Sequence, residues 1–253
     1  MSTREQRLVF GEDAEEFERV RPSYPERLVD DVVALVGLPC RAVDAGAGTG
    51  KATIQLAEHG VEGVAVEPDE AMAAVARRKL AAYRGWLVVV SDLESWSPDG
   101  DETFDLVTCA QAWHWLDRER ATKQAESWLR PDGWLAIVDV SPAYRDTPLR
   151  REIDAAYAEY APEPSAHSLA PKQRVTPGSA FGPPTVREYA FSHDYTAAEW
   201  VDLLRTASDH SILPPERGEP LLAAVAAAIE RHGGTYRHHY VCELWAAQRR
   251  EEP

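Results

Sequence analysis

The most constraining feature of the sequence is a glycine-rich turn between Ala42 and Gly50, which joins a short apolar segment to a helical one. Gly46, Gly48 and Gly50 stand at alternate positions in this turn. Glycine adopts positive φ and lets the backbone approach a ligand closely. The helix that follows offers unpaired N–H groups to polar or anionic groups. A strand, a turn and a helix in this order predict an α/β fold with a ligand at the turn.

The spacing of the glycines in the turn distinguishes between three kinds of ligand site. The dinucleotide fingerprint G-x-G-x-x-G needs a glycine where Lys51 stands. The observed pattern is instead D-x-G-x-G-x-G, headed by Asp44. The phosphate-binding pattern G-x-x-x-x-G-K-[ST] fails as well, because Ala45 and Ala52 occupy two of its fixed positions. A nicotinamide-dependent oxidoreductase is therefore disfavoured, and hydrolysis of a nucleoside triphosphate is excluded.

Apolar segments alternate with helical ones along the first 140 residues. Continuous apolar strands separated by helices predict a parallel sheet covered on both faces, an open and doubly wound α/β fold. Predicted strands are 41–44, 63–68, 86–90, 104–110, 134–140, 186–191 and 235–248. Predicted helices are 51–58, 69–83, 117–129, 196–207 and 215–232, with one more starting after Thr147 and one between Ser23 and Gly37, where Ser23 and Glu26 match a capping box.

The domain organisation follows from where this alternation stops. Residues 141–185 hold eight of the 18 prolines, which cannot continue a helix or pair within a sheet. This segment is either a surface insertion or a lid over the ligand crevice. We expect residues 1–253 to form a single domain: a helical cap at 1–36, a cofactor-binding core at 37–140, the inserted lid at 141–185, and 186–253 completing the sheet.

Composition narrows the class of partner. The formal net charge of −15 repels phosphate backbones, so nucleic acid is not expected as a partner. No apolar run is long enough to cross a bilayer, and the N-terminus lacks the apolar core of a signal peptide. Three cysteines stand far apart without metal-ligand spacing, which favours a reducing cytoplasm. His238 and His239 are adjacent, so a strand points them to opposite faces, and no metal site is expected.

Polar residues stand where the predicted strands end. Glu67 ends the second strand, at about the position where a carboxylate binds ribose hydroxyls in such folds. Asp92 and Leu93 follow the third strand. Ala110 and Gln111 end the fourth, just before Trp113-His114-Trp115. Because the carboxyl ends of parallel strands meet at one edge of a sheet, these residues are expected to converge on one crevice.

With these residues in view, the chain resembles the class I S-adenosylmethionine-dependent methyltransferases, in the small-molecule group of methyltransferase type 11. The resemblance rests on DAGAGTGK at the turn, FGEDAEEFERVRPSYP at 10–25, QAWHWLD at 111–117 and YTAAEWVDLLRTAS at 195–208. It implies a seven-stranded, mostly parallel Rossmann-like sheet with an inserted lid. It also implies S-adenosylmethionine as cofactor, with S-adenosylhomocysteine as product.

The resemblance also assigns cofactor contacts. Asp44, Gly46 and Gly48 would hold the methionine portion, and the carbonyl of Ala110 or Gln111 would face its ammonium. Glu67 would bind both ribose hydroxyls. For the adenine, Asp92 would accept from the amino group and the Leu93 amide would donate to the ring.

The acceptor side rests on fewer residues. His114 is the candidate general base, if the acceptor is a neutral hydroxyl, amine or carbon acid; otherwise it orders its turn or contacts the cofactor. Trp113 and Trp115 line an apolar acceptor pocket, or one of them belongs to the core. Tyr24 closes over the cofactor or packs against a helix. Tyr157, in the proline-rich segment, is a candidate acceptor contact.

The functional hypothesis is methyl transfer to a small organic acceptor, with O, N or C as the methylated atom. Such a reaction depends mainly on holding the nucleophile in line with the methyl carbon and on excluding water. The alternative is a domain of the same fold that binds the cofactor in a non-methylating or ligand-sensing role, since nothing in the sequence identifies a required base.

Overall fold

The structure is a computed structural model that describes residues 13–162, 180–207, 210 and 213–250. Helices and strands alternate through most of this range. The helices are α1 (Ala14–Val20), α2 (Glu26–Val36), α3 (Lys51–Glu58), α4 (Glu70–Leu80), α5 (Arg118–Trp128), α6 (Pro148–Tyr160), α7 (Ala197–Arg205) and α8 (Pro215–Arg231). The strands are β1 (Arg41–Ala45), β2 (Glu62–Glu67), β3 (Trp86–Val90), β4 (Phe104–Ala110), β5 (Leu129–Pro142), β6 (Thr185–Thr196) and β7 (Thr235–Gln248).

The strands form one seven-stranded sheet in the order β3-β2-β1-β4-β5-β7-β6. The first five are parallel to one another, whereas β7 runs antiparallel to both β5 and β6. The chain order reverses between β1 and β4, and in open α/β sheets this switch point opens a crevice at the carboxyl ends of the strands. The predicted α/β class and the mostly parallel, doubly wound sheet are confirmed.

The two faces of the sheet carry separate apolar clusters because successive strand residues point to opposite sides. On β1, Ala42 packs in the cluster that includes Leu28 and Val32 of α2. Its neighbour Val43 packs in the other cluster, with Trp128 of α5. Strands covered on both faces are mostly apolar. Ala42 to Ala45 are all buried, and Asp44 is the polar exception among them.

Strands β6 and β7 form a ribbon that extends past the edge where β5 ends. The last residue of β5, Pro142, pairs with Tyr240, while the pairing of β6 with β7 continues to Thr196 and Thr235. Helices α6, α7 and α8 pack around this extension in a third apolar cluster, which includes Tyr195 and Tyr236. The ribbon therefore adds a wall beside the crevice.

Several local predictions differ from the structure. The capping box predicted at Ser23 is wrong, because Pro25 is the N-cap of α2 and no side chain caps that helix. A capping box does form at Thr196 and Glu199, at the start of α7. Strand β5 begins at Leu129 rather than Trp134, since the residues around Gly133 stay in the sheet through a register shift against β4.

The proline-rich segment is described in part. Its predicted helix is present as α6, where the Thr147 hydroxyl accepts from the backbone N–H of Arg150 and Pro148 occupies the first turn. Residues 163–179, with Pro164, Pro171 and Pro177, lie outside the described residues. Across the described ranges, every helix is too short or too polar to cross a bilayer.

Candidate active site

A cavity of about 710 Å³ lies at the carboxyl edge of the sheet. The glycine turn after β1 and the ends of β2 and β4 form its near wall. Its far wall, the lining residues from Val140 to Tyr240, comes from the end of β5, from α6 and α7, and from the β6–β7 ribbon. The predicted site residues that line this cavity are Tyr24, Asp44, Gly46, Gly48, Glu67, Leu93, Ala110, Gln111, His114 and Trp115.

The glycine turn has the backbone conformation that its sequence predicts. Gly46, Gly48 and Gly50 all have positive φ, at 73°, 57° and 79°. A Cβ atom on Gly46 would lie 2.5 Å from the Cβ of Ala112, so no larger residue fits there without a shift. The N–H of Gly46 donates to the carbonyl of Val66 at 2.8 Å, which ties the turn to β2.

Asp44 lies beneath the turn and is fully buried. Its Oδ2 accepts a hydrogen bond from the Thr53 hydroxyl of α3. Its Oδ1 is also buried and has no hydrogen-bond partner among the described residues. Burial raises the pKa of Asp44 to about 6, and the bond from Thr53 offsets part of that effect. A buried acceptor of this kind favours a ligand group that carries N–H or O–H donors.

Glu67 ends β2 and is 7% exposed. Its Oε2 accepts from the N–H of Gly48 at 2.7 Å, and its Oε1 accepts from the N–H of Asp69 at 3.0 Å. Burial raises the pKa of Glu67 to about 7, although both backbone bonds lower it. These two bonds fix the carboxylate beside the turn, and each oxygen keeps a second lone pair for a ligand.

Helix α1 packs over the outer side of the turn. The Glu18 carboxylate of this helix accepts from the Thr49 hydroxyl at 2.5 Å and pairs with Lys79 at 2.6 Å. Lys51 donates to the Glu18 carbonyl at 2.8 Å. These contacts lower the pKa of Glu18 in spite of its burial. Phe17, next to it in α1, lines the cavity.

The residues at the ends of β3 and β4 differ in whether they line the cavity. Leu93 lines the cavity, whereas Asp92 lies outside its wall. Ala110 and Gln111 both line it. Gln111 has a φ of 61°, a conformation rarely adopted by side chains with a Cβ, and its N–H donates to the Val138 carbonyl at 2.8 Å. The chain thus turns sharply at the end of β4, beside the glycine turn.

The turn after β4 separates the two tryptophans. Trp113 is 4% exposed and packs in the core, so it does not line the cavity. His114 and Trp115 both line the cavity, with ring centroids 4.8 Å apart. The Nδ1 of His114 lies 3.9 Å from Oδ1 of Asp139 in β5. This turn therefore presents one imidazole and one indole to the cavity.

The two predicted tyrosines lie in different places. Tyr24 lines the cavity, and its backbone N–H and carbonyl bond the Gln55 side chain of α3 at 3.1 and 2.9 Å. Burial raises the pKa of Tyr24. Tyr157 does not line the cavity; it is buried in α6, with its hydroxyl 2.6 Å from Nε2 of His210.

Sequence reasoning missed most of the far wall. Arg150 and Trp200 line the cavity from α6 and α7, and Tyr236, His238 and Tyr240 line it from β7. The alternation of a strand offered a signal for the last three, since residues at i, i+2 and i+4 share one face. Among the described residues, no group of three His, Cys, Asp or Glu side chains is arranged to hold a metal ion.

Known proteins resemble the chain most clearly around this site. Residues 43–137 match the methyltransferase domain family. An uncharacterized methyltransferase of Mycobacterium tuberculosis is 39% identical over 137 residues, which cover 54% of each chain. A probable S-adenosylmethionine-dependent methyltransferase of Saccharomyces cerevisiae is 35% identical over 140 residues, 52% of this chain and 47% of the yeast protein. The chain thus matches about half the length of these relatives.

The fold is shared over a longer range. The structure of a putative type II methyltransferase from Anaeromyxobacter dehalogenans superposes with a TM-score of 0.67 at 22% identity, covering 91% of this chain and 97% of that one. The resemblance predicted from the glycine turn and its neighbouring segments is confirmed, and so is the seven-stranded class I fold.

Proposed function

We propose, starting from the methyltransferase domain at residues 43–137, that this chain binds S-adenosylmethionine in the cavity and transfers its methyl group to a small organic acceptor. One observation carries the proposal: two buried carboxylates, Asp44 and Glu67, converge on a turn of three positive-φ glycines. The yeast relative, named as a probable S-adenosylmethionine-dependent methyltransferase, supports the same cofactor.

The residues present fit this cofactor. Its ammonium and ribose hydroxyls bring hydrogen-bond donors. The near wall offers the Oδ1 of Asp44, which has no partner among the described residues, and the second lone pairs of the Glu67 oxygens. Backbone at Gly46 and Gly48 would lie against the methionine portion, with the Ala110 or Gln111 carbonyl towards its ammonium. Leu93 and Asp92 would hold the adenine, with Asp92 approaching from outside the present cavity wall.

The cofactor supplies a methyl group on a positively charged sulfur, which makes the methyl carbon electrophilic. The chain positions the reactants and excludes water from the reacting atoms. The near wall holds the cofactor, and α1 together with the far wall limits the access of water. His114 holds a proton released by a neutral acceptor, since it lines the cavity and lies 3.9 Å from the Asp139 carboxylate. Trp115 and Tyr24 line the same cavity and would contact the acceptor or the cofactor.

The inserted segment fits the role of a lid in this scheme. Pro142, the last residue of β5, lines the cavity together with Tyr144, Arg145 and Thr147 beyond the strand. Three buried cysteine thiols, Cys40, Cys109 and Cys242, support a reducing cytoplasmic location. The net charge of −15 supports a small molecule rather than a nucleic acid as acceptor.

Calorimetry with S-adenosylhomocysteine and with NADH tests the cofactor. We expect binding of S-adenosylhomocysteine at micromolar concentrations or below and none of NADH. The reverse result, or failure of both to bind, would refute the proposal. Incubation with methyl-labelled cofactor and a library of small acids, alcohols and amines then tests transfer. Tight cofactor binding without any labelled product would favour the non-methylating alternative.

A further inference from the structure

The far wall of the cavity has the opposite charge balance to the whole chain. The chain carries 42 acidic residues against 27 basic ones. Among the described residues of the far wall there is one carboxylate, Asp154. Three arginines and three histidines accompany it: Arg145, Arg150, Arg237, His210, His238 and His239. Arg150 pairs with Asp154 and Arg237 with Asp194, so these two charges are largely compensated. The wall still lacks the excess of carboxylates that the chain carries as a whole, and it therefore repels an anionic ligand less than the rest of the surface does.

Arg150 and Arg237 both form ion pairs, and Arg150 has the less exposed side chain of the two. Its side chain is 12% exposed, and it pairs with Asp154 one helical turn away at 2.7 Å. Burial opposes its charge, but the bonds with Asp154 and the Tyr236 hydroxyl prevail and raise the pKa of Arg150. Its Nε is buried without a hydrogen-bond partner in the described part of the chain. The guanidinium is therefore charged and has one donor unused.

A second unused donor lies on the same wall. Trp200 is 5% exposed, lines the cavity, and has a buried Nε1 with no partner among the residues described. Its ring contacts the edge of Tyr236, the residue that bonds Arg150, with centroids 4.7 Å apart. The ring of His238 lies 4.7 Å from Trp200 as well. Arg150 and Trp200 thus flank one tyrosine within an aromatic wall.

We propose that Arg150 and Trp200 form a subsite for a carboxylate, so that the acceptor substrate is a small organic acid with an apolar or aromatic body. This inference rests on the proposed function and names its substrate class. A carboxylate brings two acceptor oxygens to a wall with two unused donors. The rings of Trp200, Tyr236 and Tyr240 supply apolar surface for the rest of the molecule.

The charge of Asp154 decides between a carboxylate and a phosphate. It cancels the charge of Arg150 locally, and the Tyr144 hydroxyl donates to its other oxygen at 3.1 Å. A dianionic phosphate next to this carboxylate would be repelled, whereas a monoanion meets the remaining donors with less repulsion. The subsite therefore selects one negative charge.

The test uses the full chain saturated with S-adenosylhomocysteine and three fluorescent probes that share one ring system: 2-naphthoate, 2-naphthamide and 2-naphthyl phosphate. We expect 2-naphthoate to bind at least tenfold more tightly than either of the others. Arg150→Gln and Trp200→Phe should each weaken 2-naphthoate about tenfold and leave 2-naphthamide within twofold. Arg151→Gln, on the outer face of the same helix and paired with Asp146, should change nothing.

Each outcome of this experiment decides the matter. Equal affinity for acid and amide, tighter binding of the phosphate, or no binding of 2-naphthoate would overturn the inference. Equal loss of all probes in both variants would also overturn it, because it would mean a general change in the wall. Binding of S-adenosylhomocysteine is measured first: its absence refutes the proposed function, and its presence with a failed naphthoate arm refutes the carboxylate subsite alone.

Discussion

The Glu67 carboxylate accepts a hydrogen bond from the backbone N–H of Gly48 at 2.7 Å. This contact joins the end of β2 to the glycine turn after β1, so the acid and the turn keep a fixed relative position. The same carboxylate is buried and has a raised pKa of about 7. Its charge is therefore poorly stabilised until a ligand brings further donors.

Glu67→Gln is expected to weaken S-adenosylhomocysteine binding roughly 10- to 100-fold, since a hydrogen bond to a charged group contributes about 1.5–3 kcal/mol. Wild-type affinity should rise with pH through about 7 and level off above it, because the ligand's hydroxyls favour the ionised carboxylate. Calorimetry at pH 6, 7 and 8 measures both effects. Glu62→Gln, at the opposite end of β2, should keep wild-type affinity and pH dependence. A pH-independent wild type would contradict the role of Glu67.

Asp44→Asn should flatten the pH dependence of stability. The pKa of Asp44 is about 6 in the folded chain, against an ordinary value of 3.8 for an aspartate. The folded chain therefore binds the proton more tightly than the unfolded chain, and protonation of Asp44 stabilises the fold. That contribution is complete below pH 4 and disappears as pH rises through 6, an effect of about 2–3 kcal/mol. Urea unfolding without ligand at pH 4 and pH 8 compares the variant with wild type. The exposed Asp99→Asn should retain the wild-type slope; if Asp44→Asn does too, the buried charge is not the cause.

Gly46→Ala and Gly37→Ala form a matched pair. The two glycines have φ of 73° and 75°, but an added Cβ at Gly46 meets Ala112 at 2.5 Å and one at Gly37 meets nothing within 4 Å. Both changes carry the strain of left-handed backbone, about 1–2 kcal/mol. Gly46→Ala should lower the free energy of unfolding further and abolish S-adenosylhomocysteine binding. Equal effects of the two changes would show that the close approach at the turn is unimportant.

His114→Gln should reduce methyl transfer by about 10²-fold or more while S-adenosylhomocysteine affinity stays within twofold, as expected for a proton-accepting group. Asp139→Asn, which removes the carboxylate 3.9 Å from His114, should lower the rate of transfer without weakening S-adenosylhomocysteine binding, and a wild-type rate at every pH would contradict this role. Steady-state rates from pH 6 to 9 distinguish these results. Lost cofactor binding in His114→Gln would place the imidazole on the cofactor.

Most of the sheet and the near wall are predictable from the sequence because they depend on local patterns. Alternating apolar strands and helices define β1 to β5, and the glycines of the turn permit the positive φ that the turn requires. Residues at the ends of parallel strands come close because the strands share an edge, which brings Asp44 and Glu67 to the cavity but leaves Asp92 outside its wall. Glu67 illustrates this: its position after an apolar run is enough to place it near Gly48.

The far wall is less predictable because it joins distant segments. Arg150 and Trp200 are 50 positions apart in sequence, and only the packing of α6 and α7 around the β6–β7 ribbon brings both to the cavity. Trp113 and Trp115 show a different difficulty. They stand two residues apart on a 3₁₀ turn, which sends successive side chains to three different sides, and no sequence pattern says which one meets the core.

The Glu18 contacts have a consequence for kinetics. Helix α1 contacts the glycine turn and its neighbours through charged and polar bonds with Thr49, Lys51 and Lys79, beside a small apolar cluster of its own with Met72 and Val75 of α4. Salt screens such bonds much more than it affects apolar packing. Loosening of α1 therefore exposes the glycine-turn end of the cavity while the sheet remains intact. The residence time of a ligand can then change independently of the stability of the fold.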